Sequence, residues 1–184
     1  MAEGFHARVK TTAAIEAMTS AALPLDVKVS PVIGPVDDAA APNPVRELTV
    51  AALVRRLTEV MSAAPDGVVL AACGSPVSRG AAAIDALARA LGSAMAVPCR
   101  PGFVALGRPT VAQAVSSLRQ RGFGQVVVAT YLVGPGRRFG QVLAEATREG
   151  VKAVAPPLGS APELVDIVLH RAAQADSSWW AARS

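Results

Sequence analysis

Val126-Val127-Val128-Ala129-Thr130-Tyr131-Leu132, followed by Val133-Gly134-Pro135-Gly136, is the stretch on which the fold turns. The first seven residues carry no charge and open on three valines, which suits a strand buried on both faces, and the Gly-Pro-Gly after them reads as a turn. Downstream, Val142, Leu143 and Ala146 draw an apolar helical stripe that stops at Gly150. The unit is therefore strand, turn, helix, and it recurs upstream. Residues 68–72 form an apolar run, after which Ile84, Leu87, Ala88 and Leu91 repeat at i, i+3, i+4, i+7. A weaker strand over 99–106 is interrupted by prolines at 98 and 101, which places it nearer a sheet edge. Val111, Val115 and Leu118 then mark a helix closed by Gly122. Residues 151–155 predict a fourth strand, and Ser160-Ala161-Pro162-Glu163 predicts a capping box that opens a helix with Leu164, Ile167 and Val168 inward. The alternation predicts an α/β fold, a parallel sheet with helices on both faces.

The N-terminal third echoes the end of this pattern. Val27-Lys28-Val29-Ser30-Pro31-Val32-Ile33-Gly34 parallels Val151-Lys152-Ala153-Val154-Ala155-Pro156-Pro157-Leu158-Gly159, and Glu47-Leu48 leading to Arg55 parallels Glu163-Leu164 leading to Arg171. The expectation is one complete repeat over 67–174, the second half only of another over 1–62, and a tail over 175–184 that carries Trp179 and Trp180. The segment 36–44, with its Asp, Ala and Pro content, predicts a mobile loop.

Composition narrows the function classes. In 184 residues, 52% are hydrophobic and 4% aromatic, so a core of small aliphatic side chains is expected. The net charge of +4 comes from scattered arginines with no interleaved aromatics to stack on bases, which argues against a nucleic-acid partner. Cys73 and Cys99 have neither CxxC spacing nor companions for a disulfide framework. No signal-peptide core follows Met1 and no apolar run reaches membrane-spanning length, so the expected location is the cytoplasm, away from the membrane.

In open parallel sheets the ligand lies at the carboxyl ends of the strands, where helix N-termini point inward. That singles out Cys73-Gly74-Ser75, the segment 105–108, the turn 134–138 and the segment 156–160. Arg137 and Arg138 begin a helix, where their charge opposes the dipole unless an anion such as a carboxylate or phosphate sits there; the alternative is that both extend into water. Cys73 and Arg79 also have the Cys-x5-Arg spacing of a cysteine-dependent phosphatase, although no Asp follows a later strand to protonate the leaving group. His6 stands beside Phe5 at a helix entry, and His170 sits in the last helix as a structural residue.

Taken together, 68–75 ending in Cys-Gly-Ser, 126–136 ending in Gly-Pro-Gly, and Ala155-Pro156-Pro157-Leu158-Gly159-Ser160-Ala161-Pro162-Glu163-Leu164 resemble the small sirohydrochlorin chelatases, which are class II metal chelatases. The resemblance covers nearly the whole chain. It implies a flavodoxin-like fold and a lyase that inserts Co²⁺ or Fe²⁺ into sirohydrochlorin for cobalamin or siroheme biosynthesis, with the metal as substrate and no organic cofactor. In that chemistry neutral imidazoles hold the ion and take up pyrrole protons, while basic groups receive the carboxylates of the macrocycle.

This chain departs from the family pattern at its metal ligands. The family carries a His before the Gly-Ser of the first loop, where Cys73 stands here, and another in the third loop, where Arg137 or Arg138 stands. The acid usual after the second strand corresponds to Ala105. Gly4-Phe5-His6-Ala7-Arg8-Val9 looks like the family's stretch after the third strand, which makes His6 the surviving metal ligand of the partial copy. Cys73 is a weaker catalytic candidate, and Gly74, Ser75, Arg137 and Arg138 are the candidates for holding tetrapyrrole carboxylates. The alternative function is a non-catalytic tetrapyrrole-binding or assembly module with a degenerate site. Either the catalytic half lies upstream of Met1 or the chain is a shortened descendant; in both cases an exposed sheet edge and apolar surface predict self-association.

Overall fold

The computed structural model describes residues 30–34, 43–75 and 78–181, with single positions 13, 14 and 17, the side chains at 79 and 176–181 excepted. His6 and most of the segment 36–44 lie outside the described residues, and Trp179 and Trp180 are described only as backbone of the last helix. The elements are α1 (Pro44–Thr58), β1 (Gly67–Ala72), α2 (Ser78–Met95), β2 (Cys99–Phe103), α3 (Val111–Gln120), β3 (Val126–Tyr131), α4 (Arg137–Arg148) and α5 (Pro162–Ala181).

The three strands are parallel in the order β2-β1-β3, with Val68 beside Cys99 on one side and Val127 on the other. Every residue of β1 and β3 is buried, as their unbroken apolar runs require. β2 is at an edge among the described residues, and its register explains how it tolerates proline. Val68 N donates to Pro98 O at 2.9 Å and Val104 N to Ala72 O at 3.0 Å, so even-numbered residues of β2 face β1. Pro101, which has no N–H, therefore faces the open edge.

Helices cover both faces. Val45, Ala52, Leu53 and Leu57 of α1, Ile84, Leu87 and Leu91 of α2, and Leu164 and Ile167 of α5 form one core with Val68, Leu70, Val127 and Ala129. On the other face Val111, Ala114, Val115 and Leu118 of α3 meet Val142 and Ala146 of α4 over Val69, Ala71 and Val128. The helix starts follow local chemistry. Asn43 accepts from Arg46 N at 3.0 Å ahead of Pro44, and Thr110 and Gln113 close a capping box at α3.

Four expectations need correction. Residues 151–155 lie beside β3, with Val128 N donating to Ala153 O and Ala155 N to Val128 O, but the pairing is a single bridge at Val154 and not a strand. Pro156 and Pro157 cannot donate to continue the ladder. The capping box is displaced: α5 starts at Pro162, and the Glu163 carboxylate turns to Arg55, which donates through Nε at 2.8 Å and Nη2 at 2.6 Å. Leu143 and Val168, assigned to inward stripes, are 38% and 45% exposed, because α4 and α5 each lie against the sheet along a narrower face.

Candidate functional site

From β1 the chain crosses to β2 on one side and returns to β3 on the other, so the switch point lies between β1 and β3, above their C-terminal ends. The loops that converge there are 73–75, 104–110, 132–136 and 156–161, and backbone bonds tie them in pairs. Leu106 N donates to Cys73 O at 2.9 Å, while Leu158 N and Gly159 N donate to Leu132 O and Val133 O at 2.8 and 2.7 Å. Gly74 is pressed against the second loop at φ +83°, where a Cβ would lie 1.5 Å from Leu106 O. Only glycine passes there.

Cys73, Gly74 and Ser75 follow β1 and Arg137 and Arg138 open α4 after β3, so strand order places them all at the C-terminal end of the sheet. Cys73 is half-buried and packs against the apolar cluster beneath α3 and α4, as do Phe139 and Val154. Beneath it on the same face, Thr130 is fully buried and its Oγ1 has no hydrogen-bond partner. Arg137 is exposed at the first position of α4, with no bond to another described side chain. Arg138 is turned back along the helix to Gln141 Oε1 at 3.0 Å and reaches toward Val104 O at 3.5 Å. No acid lies in the first turn and no side chain caps Gly136. The free N–H groups, the dipole and two guanidinium groups thus add up to a positive mouth.

Metal-ligand geometry is a different matter. Among the described residues no three His, Cys, Asp or Glu side chains come together. Cys99 is remote from the crevice at the start of β2, and burial pushes its thiol up to about 12, so it stays protonated. His170 lies on α5, with Nε2 3.3 Å from Gln174 Nε2. The Cys73 to Arg79 spacing reaches partly outside the described residues, as does His6.

Arg171 belongs to the same end of the sheet, by Tyr131 at the end of β3. It is 8% exposed on α5, donates to Gln174 Oε1 at 2.8 Å and to Gly34 O at 3.1 Å, and leaves Nε buried without a partner. Burial lowers its pKa, with Tyr131 acting the other way. Burial also drives the Tyr131 hydroxyl well above its usual range, and Arg171 partly offsets this. The signal was present in the sequence: Leu164, Ile167 and Arg171 follow i, i+3, i+7, which puts a cation in line with a buried stripe.

An open, doubly wound parallel sheet with its loops gathered over the switch point defines the class of α/β proteins that carry their ligand in that crevice. Residues 67–175 match the family model described as CbiX, and the chain belongs to that family. Among solved structures, SirB from Bacillus subtilis with Fe³⁺ superposes with TM-score 0.75 at 18% identity, over 95% of this chain and 68% of that one. The sirohydrochlorin chelatase SirB from Bacillus subtilis subspecies spizizenii in complex with cobalt superposes with TM-score 0.67 at 18% identity, over 92% and 63%. A multi-domain protein from Deinococcus radiodurans, DR2241, described as structurally similar to chelatases, gives 0.53 at 21%, over 79% and 35%. The chain thus spans about two thirds of the SirB chains. No protein with a curated description matches it in sequence.

Proposed function

We propose that this chain is a sirohydrochlorin chelatase-like protein, a lyase that presents sirohydrochlorin to Co²⁺ or Fe²⁺ at the crevice above β1 and β3. The observation that carries the reading is the positive mouth: Arg137 and Arg138 in the uncapped first turn of α4, at the same end of the sheet as the closely packed Gly74 loop, in a chain of the CbiX family. The carboxylates of the macrocycle match that mouth in charge and, being several, can engage both guanidinium groups and the helix N–H groups at once. Insertion replaces two pyrrole protons by the divalent ion, so a neutral imidazole is needed to hold the ion and accept a proton. His6 is the residue proposed for that role, with Cys73 as a second donor.

A second reading is favoured by one observation. Cations occupy the third loop where the family has its imidazole, and a guanidinium opposes the approach of Co²⁺. In that case the chain binds the macrocycle without metallating it.

An anaerobic absorbance titration with sirohydrochlorin, followed by Co²⁺ and then Fe²⁺, separates the two because binding and metallation give distinct spectra. Metallation faster than the protein-free control supports the chelatase reading. Binding with metallation no faster than the control supports the binding module, and no binding overturns both.

A further inference from the structure

The outer face of α1 carries an apolar groove of about 670 Å³, lined by Val50, Ala51 and Val54 and flanked by Ala90 and Ala94 of α2. Val50 and Val54 are half-buried and pack against the core that Val45, Ala52, Leu53 and Leu57 enter, Ala51 between them is exposed, and Arg46, Glu47, Arg55, Thr58 and Glu163 complete the lining. Small residues on both walls also let a second helix approach closely.

The charges at the rim select the occupant. Glu47 is exposed, with no partner among the described residues, at one end of the groove. Arg55 is at the other end, its side chain 51% exposed and bound to Glu163 through Nε and Nη2, which leaves Nη1 unused. Positions 47 and 55 lie equally far from Ala51 along the helix. We infer that two copies of this chain pair through the groove, α1 antiparallel to α1, about a two-fold axis at Ala51. Such an axis sets Glu47 of each copy opposite Arg55 of the other, so the same ion pair forms twice. Arg56, which would otherwise face Arg46 of the other copy, is held away by Leu158 O and Glu59. A single helix pair buries little area, so the dimer is weak, with Kd on the order of 10 µM. This inference does not depend on the activity.

Sedimentation velocity from about 1 to 100 µM tests it, because that range brackets the expected Kd. A concentration-dependent shift from monomer to dimer is expected. Ala51→Glu, at an exposed position, should weaken the dimer at least ~10-fold with an unchanged melting curve, and Glu47→Lys should weaken it less. Mild oxidation of Ala51→Cys should yield a dimer linked between the two residues 51, identified by mass spectrometry of the digest. A wild-type chain that stays monomeric throughout, or a dimer that Ala51→Glu leaves intact, overturns the proposal.

Discussion

A methyl group added at Gly74 would lie 1.5 Å from Leu106 O, on a backbone held at φ +83°. Because the obstructing atom is backbone, it cannot be displaced without moving the second loop. Gly74→Ala should therefore cost roughly 3 kcal/mol, about 10 °C in melting temperature, and should weaken sirohydrochlorin binding, as differential scanning calorimetry and absorbance titration would show. Thr130 predicts the opposite sign. Its buried Oγ1 lacks a partner, so Thr130→Val removes an unsatisfied hydroxyl at nearly constant volume and should raise stability by about 1 kcal/mol; a loss of stability would reveal a partner for the hydroxyl. Arg137, exposed and free of other described side chains, bears on ligand binding and not on the fold. Arg137→Glu should lower the affinity for sirohydrochlorin about tenfold, increasingly so at low salt, with the melting temperature unchanged.

Between elements, the contact most open to test is the joint of α1 with α5. Arg55 lowers the Glu163 pKa, first by hydrogen bonding, against the opposing effect of burial. A carboxyl with a depressed folded-state pKa adds stability above its unfolded pKa of about 4.3 and loses that stability as pH falls through the lower folded value. The melting temperature of Glu163→Gln should thus fall below that of the wild type at pH 7, and the gap should close as the pH is taken toward about 3. A gap independent of pH would assign Glu163 a packing role only. The same joint shows a reciprocal arrangement. Arg56 of α1 donates to Leu158 O in the loop before α5, and Arg171 of α5 donates to Gly34 O in the segment before α1. Each helix secures the segment that precedes the other.

At the scale of the whole molecule, the family match begins at Gly67, yet the core does not. Val45, Ala52, Leu53 and Leu57 of α1 cover the same sheet face as Leu87 and Ile167. A fragment limited to 67–175 would expose that face. It should lack a cooperative thermal transition and bind a hydrophobic dye, and a two-state melt comparable to that of the full chain would overturn the expectation. None of the helices among the described residues is long and apolar enough to cross a membrane.

Reading the elements in order was possible because their signals are local. Runs of valine and alanine can be buried on both faces only in a covered parallel sheet, and stripes such as Ile84, Leu87, Ala88 and Leu91 need no knowledge of the fold to recognise. Strand order then carried Cys73, Gly74, Ser75, Arg137 and Arg138 to one end of the sheet, because the loops that bear them follow parallel strands. Other features depend on partners distant in sequence. Glu163 has the spacing of a cap, but Arg55, 108 residues away, holds its carboxylate. Val168 adjoins a buried stripe and is itself exposed, and the segment at 151–155 has the composition of a strand while its pairing stops at one bridge. Arg171 and Tyr131 interact only because α5 folds back over the end of β3. The sequence by itself determined the alternation of elements and the loops that could bear a ligand, since both follow from periodicity along the chain; tertiary structure alone decided which polar groups meet, because their energies depend on burial and on neighbours that periodicity does not specify.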